Sequence, residues 1–165
     1  MDKITLLLFA VAITIHNIEE AIWLPQWSQN ARKFYPKVTK KEFRFAVVII
    51  TGLAYLATAS FIAFPNSFAT RYYYFGFVGA MMLNLFSHLI PSIVLKNYSP
   101  GLLTSLLLII PTNSYLLYYG VFQNLISIKE IVISSIIVAV VLLLLITVLF
   151  KLSHVVPLIQ KKRHI

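Results

Sequence analysis

The chain contains no cysteine. That excludes structural disulfides and thiolate metal sites, and it leaves the redox compartment open. Acidic residues are almost as scarce: Asp2, Glu19, Glu20, Glu42 and Glu130 are the only five. There is no internal repeat and no low-complexity segment, and no stretch remains for a soluble domain. Residues 1–165 therefore read as a single integral membrane domain. Apolar surface is what the chain has in excess. Hydrophobic residues make up 59% of it, and its mean hydropathy is +0.85. A soluble domain of this composition would expose large apolar patches, so the fold class is an all-α polytopic membrane protein.

Five runs are long enough to cross a bilayer as helices of about 20 residues. They lie near 4–24, 43–64, 72–95, 101–122 and 130–151, separated by segments rich in proline, asparagine, serine and glycine. The first run follows a single lysine but lacks a small-x-small cleavage site, so it reads as a retained span rather than a signal peptide. All connections except 25–41 are short, which makes successive helices antiparallel neighbours.

The formal net charge is +9, carried by loops between the apolar runs rather than by a basic face. This points to membrane topology and anionic headgroups as partners, not to nucleic acid. With five spans, one side of the membrane receives 11 of the 14 basic residues; the other holds only Lys3, Arg71 and Lys129. The positive-inside rule places the N-terminus outside and the C-terminus in the cytoplasm, in the cell membrane. Trp23 and Trp27 mark the inner interface. Tyr72, Tyr73 and Tyr74 mark the outer end of the third helix. The tail Lys161-Lys162-Arg163 serves topology, and His154 and His164 carry no chemistry.

Against this background His16-Asn17-Ile18-Glu19-Glu20 stands out. Two of the five acids sit one helical turn after a histidine inside an apolar span. Ionisable groups there are costly and mark a functional site by default. The third helix carries Gly76, Ala80, Asn84 and His88 at intervals of four, one stripe that lets a neighbour approach and turns Asn84 and His88 toward it. The second helix offers Thr51, Tyr55 and Thr58. The fourth offers Thr112 and Asn113 after Pro111, which frees a carbonyl near Leu107. The fifth has only hydroxyl side chains and is expected at the periphery. At ~1.5 Å rise per residue, His16 lies about 12 Å and His88 about 11 Å from the inner ends of their helices. Asn84, Thr51 and Asn113 fall within roughly 10 Å of the same slab. One shared polar pocket between helices one to four follows.

An imidazole and a carboxylate one turn apart can ligate one metal ion, the logic of Glu-x-x-His pairs in reversed order. His16, Glu20 and His88 are the expected metal ligands, with zinc or iron as the divalent cofactor. Glu19 is the base, or exchanges roles with Glu20, and Asn84 and Asn113 position substrate or a ligand. The same groups also suit metal-free acid–base isomerisation, or a proton- or cation-coupled transporter. Plainer readings exist. Glu20 reaches the inner headgroups and pairs with Arg32 or Lys33, His16 and His88 are hydrogen-bonded interior histidines, and the asparagines join helices.

His16, Glu19 and Glu20, with the length and helix number, resemble the small bacterial and archaeal membrane proteins named for their HXXEE motif. The resemblance implies a common intramembrane site and no settled reaction. In chemistry alone the residue set is similar to that of CAAX-type intramembrane proteases, although Leu24 stands where their pattern needs arginine. The five-span plan is similar to that of the sterol isomerase (emopamil-binding) family. The leading expectation is an intramembrane enzyme, metal-dependent and hydrolytic or redox, acting on a lipophilic or amphipathic substrate. The absence of a repeat and the sparse polarity of the outer half argue against transport.

Overall fold

A computed structural model describes residues 2–31, 34 and 37–153. Arg32, Lys33, His154, His164 and the basic tail lie outside the described residues. The described chain is helical, with no strand. Its helices are α1 (Lys3–Trp27), α2 (Lys40–Ala63), α3 (Phe68–Leu83), α4 (Leu85–Leu95), α5 (Leu102–Thr104), α6 (Ile110–Phe122) and α7 (Ile128–Ser153), with a π-helical stretch at Ser105–Ile109 between α5 and α6. Helices α3 and α4 run on as one span, and α5, the π stretch and α6 as another. The result is five helices long and apolar enough to cross a membrane, matching the sequence pattern within a few residues. In hydrocarbon every backbone polar group must find a partner within the protein, which leaves helices as the choice for such runs.

The helix ends and breaks follow local chemistry. Asp2 caps α1 by accepting from the Thr5 amide at 2.8 Å. Thr39 and Glu42 form a capping box on α2. Ser127 and Glu130 do the same for α7, with contacts of 2.7 and 3.3 Å. Pro25 lies inside α1, which continues to Trp27. Proline cannot donate to the Ala21 carbonyl four residues earlier, and the Arg44 guanidinium takes that carbonyl at 3.3 Å. Pro111 crowds the Leu107 carbonyl in the same way. Here the backbone widens, and the Ile110 amide donates to Ser105 instead of residue 106.

Two expectations about packing need correction. The last helix is the least buried, with 11% of its apolar window inside the protein, yet it is no bystander. It lies tightly against α3, where a Cβ on Gly76 would stand 2.9 Å from the Ser134 carbonyl and one on Gly79 only 1.9 Å from Ser135 Oγ. The small residues of α3 thus receive α7 rather than α1. Tyr74 is also not an interfacial anchor. It is fully buried and donates to the Leu6 carbonyl at 3.0 Å, because it stacks among Phe9, Phe61 and Phe75 in the core. Those rings, with Phe77, fill the end of the bundle opposite the 96–101 loop.

Candidate metal centre

The site begins with a loop that folds inward. Ser99, Pro100 and Gly101 are buried, and Gly101 reaches back to His88 on α4. A Cβ at Gly101 would stand 2.6 Å from His88 Cε1, and its backbone holds φ +96°. Glycine meets both demands, positive φ and close approach. Non-helical backbone at this depth is tolerated only where protein satisfies it.

Glu19 supplies that satisfaction. Its Oε1 accepts from the Gly101 amide at 2.9 Å and from the Tyr98 hydroxyl. Its Oε2 accepts from the Thr104 amide at 3.2 Å and the Thr104 hydroxyl at 2.5 Å. Helix α5 has no side-chain cap of its own, so a carboxylate from α1 caps it across the helix interface, where negative charge also meets the positive end of the helix dipole. Asp2, Glu42, Glu130 and now Glu19 make four of the five acids that cap helix N-termini. Glu20 is the exception.

Glu20 faces imidazoles. Its Oε1 lies 3.1 Å from His88 Nε2 and 3.6 Å from His16 Nε2. The two rings meet edge to face with centroids 5.3 Å apart, so the matched depths read from sequence correspond to a contact. Both rings are buried. Thr104 fixes the protonation of His16. The short contact to Glu19 assigns its one hydroxyl proton there, and the 2.9 Å contact to His16 Nδ1 is then an Nδ1–H donated by the ring. In the neutral ring His16 Nε2 is then a lone pair facing the Glu20 carboxylate, and in the protonated ring it is an N–H that donates to it. The Asn84 amide reaches both rings, with Nδ2 3.1 Å from His88 Nε2 and 3.4 Å from His16 Nε2. The opposite amide orientation would present Oδ1 there and give Ser87 Oγ a donor, its hydroxyl proton remaining free for the Asn84 carbonyl at 2.7 Å. Asn17, the next residue on α1, donates to Thr51 on α2 at 2.7 Å.

The geometry can hold a divalent cation. One ligand atom each from His16, Glu20 and His88 lies within 4.8 Å of the others. Four ligands at zinc distances of about 2.0–2.1 Å stand roughly 3.3 Å apart around a tetrahedron. The carboxylate-to-imidazole distances of 3.1 and 3.6 Å bracket that spacing. A metal-binding imidazole usually donates its other nitrogen to a carboxylate or carbonyl, as His16 does to Glu19 through Thr104. His88 Nδ1 has no such partner and faces Gly101.

Of the residues singled out in the sequence, His16, Glu20, His88 and Asn84 come together. Glu19 is adjacent, but its carboxylate is engaged by four donors, which leaves little basic capacity. Asn113 is elsewhere: it donates to the Val78 carbonyl at 2.9 Å, ten residues or about 15 Å before His88 along the same span, and joins helices. Thr104, Gly101, Tyr98 and Asn17 were not anticipated. The usable signal was that a helix starting with Pro100-Gly101-Leu102 has no cap of its own and needs an acceptor from elsewhere.

Beside the cluster is a cavity of about 240 Å³ between α1, α2, α3, α4 and α7. Asn17, Glu20, Asn84 and Ser87 form its polar end, and aliphatic and phenyl groups form the rest. Helix α7 thus lines a wall instead of packing outside the pocket.

Together these features define an all-helical bundle of five membrane-length helices with a buried His/Glu/His cluster. The family described as "Protein of unknown function with HXXEE motif" matches residues 7–116. That match covers well over half of the chain and includes every member of the cluster, and the chain belongs to this family. The "Uncharacterized protein YrkK" of Bacillus subtilis (strain 168) is 51% identical over 144 residues, covering 87% of this chain and 91% of that protein. No solved structure matches the chain.

Proposed function

We propose that this chain is an intramembrane enzyme in which His16, Glu20 and His88 hold a divalent metal ion, zinc or iron, for hydrolytic or redox work on a lipophilic substrate. The observation that carries this reading is the meeting of His16 Nε2 and Glu20 Oε1 at 3.6 Å inside the protein, with His88 Nε2 3.1 Å from the same oxygen. Such an approach is unfavourable without a cation or proton between them. A bound metal would supply Lewis acidity. Glu19 and Thr104 would hold His16 in the ligating tautomer, and Asn84 would direct its amide at a ligand or substrate. The lipophilic class follows from the apolar cavity that ends on Glu20. Transport fits less well, because the aromatic core of Phe9, Phe61, Tyr74 and Phe77 fills the other end of the bundle. The orientation with the N-terminus outside and the site nearer the cytoplasmic face rests on the distribution of lysine and arginine.

One distance favours a metal-free alternative. His88 Nε2 and Glu20 Oε1 at 3.1 Å can share a proton directly, which suits an acid–base isomerase. Elemental analysis of protein purified without chelators separates the two readings. The metal reading expects about one zinc or iron per chain, lost in His16→Ala and in His88→Ala. Metal-free wild-type protein would remove that reading and leave the acid–base pair.

A further inference from the structure

We infer that the cavity beside the cluster binds a single-chain lipid alcohol, with its hydroxyl against Glu20 and its chain between α2 and α7. This deepens the proposed function and rests on its reading of Glu20 as the reactive end. The argument starts from an open acceptor. Glu20 Oε1 meets the two histidines, while Oε2 is not among the sealed polar atoms and Glu20 lines the cavity. A carboxylate oxygen in an apolar setting needs a donor. Of the other polar groups at this end, the Asn17 amide gives one N–H to Thr51, the Asn84 amide reaches the two imidazoles, and Ser87 donates to Asn84. None of them bonds Oε2, which is left open to a donor on the occupant.

The walls restrict what the occupant can be. They contain no lysine or arginine, so a phosphate head would find no counter-charge from the protein. A carbonyl head has no proton to give Oε2. A hydroxyl can donate to Oε2 and still turn a lone pair toward the cluster. Beyond Glu20 the lining is Phe43, Val47, Ile50, Leu142, Ile146 and their neighbours, which suits an alkyl or isoprenoid chain. The volume of about 240 Å³ lies below the ~300–1,000 Å³ typical of pockets for drug-sized ligands. The cavity holds at most one chain at a time. Leu143 belongs to the cavity wall and is also 66% exposed on the apolar outside of the bundle. The mouth therefore opens sideways, and a lipid enters from the bilayer without crossing water.

The test is photolabelling of the full chain in detergent with hexadecanol carrying a diazirine in its chain, mapped by mass spectrometry. Labelling should concentrate on Ile50, Leu142 and Ile146. Unlabelled hexadecanol should compete at least tenfold better than palmitate or hexadecyl phosphate. Ala139→Phe fills the cavity and should abolish the labelling while metal content stays as in wild type. Labelling spread evenly over the lipid-facing surface, or equal competition by the three heads, overturns the inference and leaves the metal reading untouched. Focused, alcohol-selective labelling of a protein that holds no metal would keep the inference and discard the metal.

Discussion

Glu19 and Glu20 are adjacent in sequence and equally buried, yet they face two differently built regions. On the Glu19 side the protein has brought up four donors: the amides of Gly101 and Thr104 and the hydroxyls of Thr104 and Tyr98. On the Glu20 side it has brought up two imidazoles, and each carboxylate borders a cavity, of about 750 Å³ for Glu19 and about 240 Å³ for Glu20. A carboxylate that accepts four hydrogen bonds is stabilised as an anion and has little left to offer a substrate. A carboxylate whose partners are imidazoles depends on the proton or cation it shares with them. The first arrangement serves the fold and the second is the one the proposed chemistry would use, and Thr104 connects them by touching both Glu19 and His16.

The largest effect expected from this division is on stability. Glu19→Ala leaves the Gly101 and Thr104 amides without acceptors, at about 1–3 kcal/mol each, so thermal unfolding in detergent should show a loss of about 3 kcal/mol or more. Glu20→Gln removes no backbone partner and should leave the melting temperature near that of metal-free wild type while abolishing metal binding. Equal destabilisation by the two variants would show that the two carboxylates share one structural duty, and the comparison would collapse.

A middle-sized effect sharpens the link between the regions. Thr104→Val keeps the shape but removes the oxygen that orients His16. Losing such an outer partner costs about 10–100-fold in metal affinity. Thr104→Ser retains the hydroxyl and should restore affinity to within a few-fold of wild type. Competition with a zinc chelator measures both. Unchanged affinity in Thr104→Val would mean that His16 does not need Thr104 to ligate.

Much of this arrangement is legible in the sequence. The five spans are marked by uninterrupted apolar runs between turn residues, and such runs have one backbone solution in lipid. The shared depth of His16 and His88 follows from helical rise alone and corresponds to rings in contact. What the sequence hid depends on which faces meet. Glu19 looked like a base because helical spacing cannot tell that the 96–101 loop turns inward to meet it. Asn113 looked like a site residue because helical rise placed it within roughly 10 Å of the slab, whereas its partner Val78 lies ten residues before His88 on the neighbouring span. The last helix looked peripheral because its polarity is low, yet its Ser134 and Ser135 seat against Gly76 and Gly79, and hydroxyls that can bond their own helix do not announce such a contact.

The smallest effect tests the rim of the Glu19 side. Tyr98 lies in the loop, half-exposed, with its hydroxyl turned to Glu19. Burial and then donation to that carboxylate push its phenol from the ordinary value of 10 up to about 12. The folded protein therefore holds this proton more tightly than the unfolded chain. Below pH 10 the phenol is neutral in both states, and its hydrogen bond contributes in full. Between pH 10 and about 12 the unfolded chain releases the proton while the folded one keeps it, so stability falls with rising pH through that window. Tyr98→Phe should cost about 1 kcal/mol at neutral pH. The gap between variant and wild type should narrow as pH rises through the same window, since other tyrosines and lysines titrate alike in both proteins. Melting curves that stay parallel throughout would show that Tyr98 does not close the Glu19 side, and that Gly101 and Thr104 hold this carboxylate on their own.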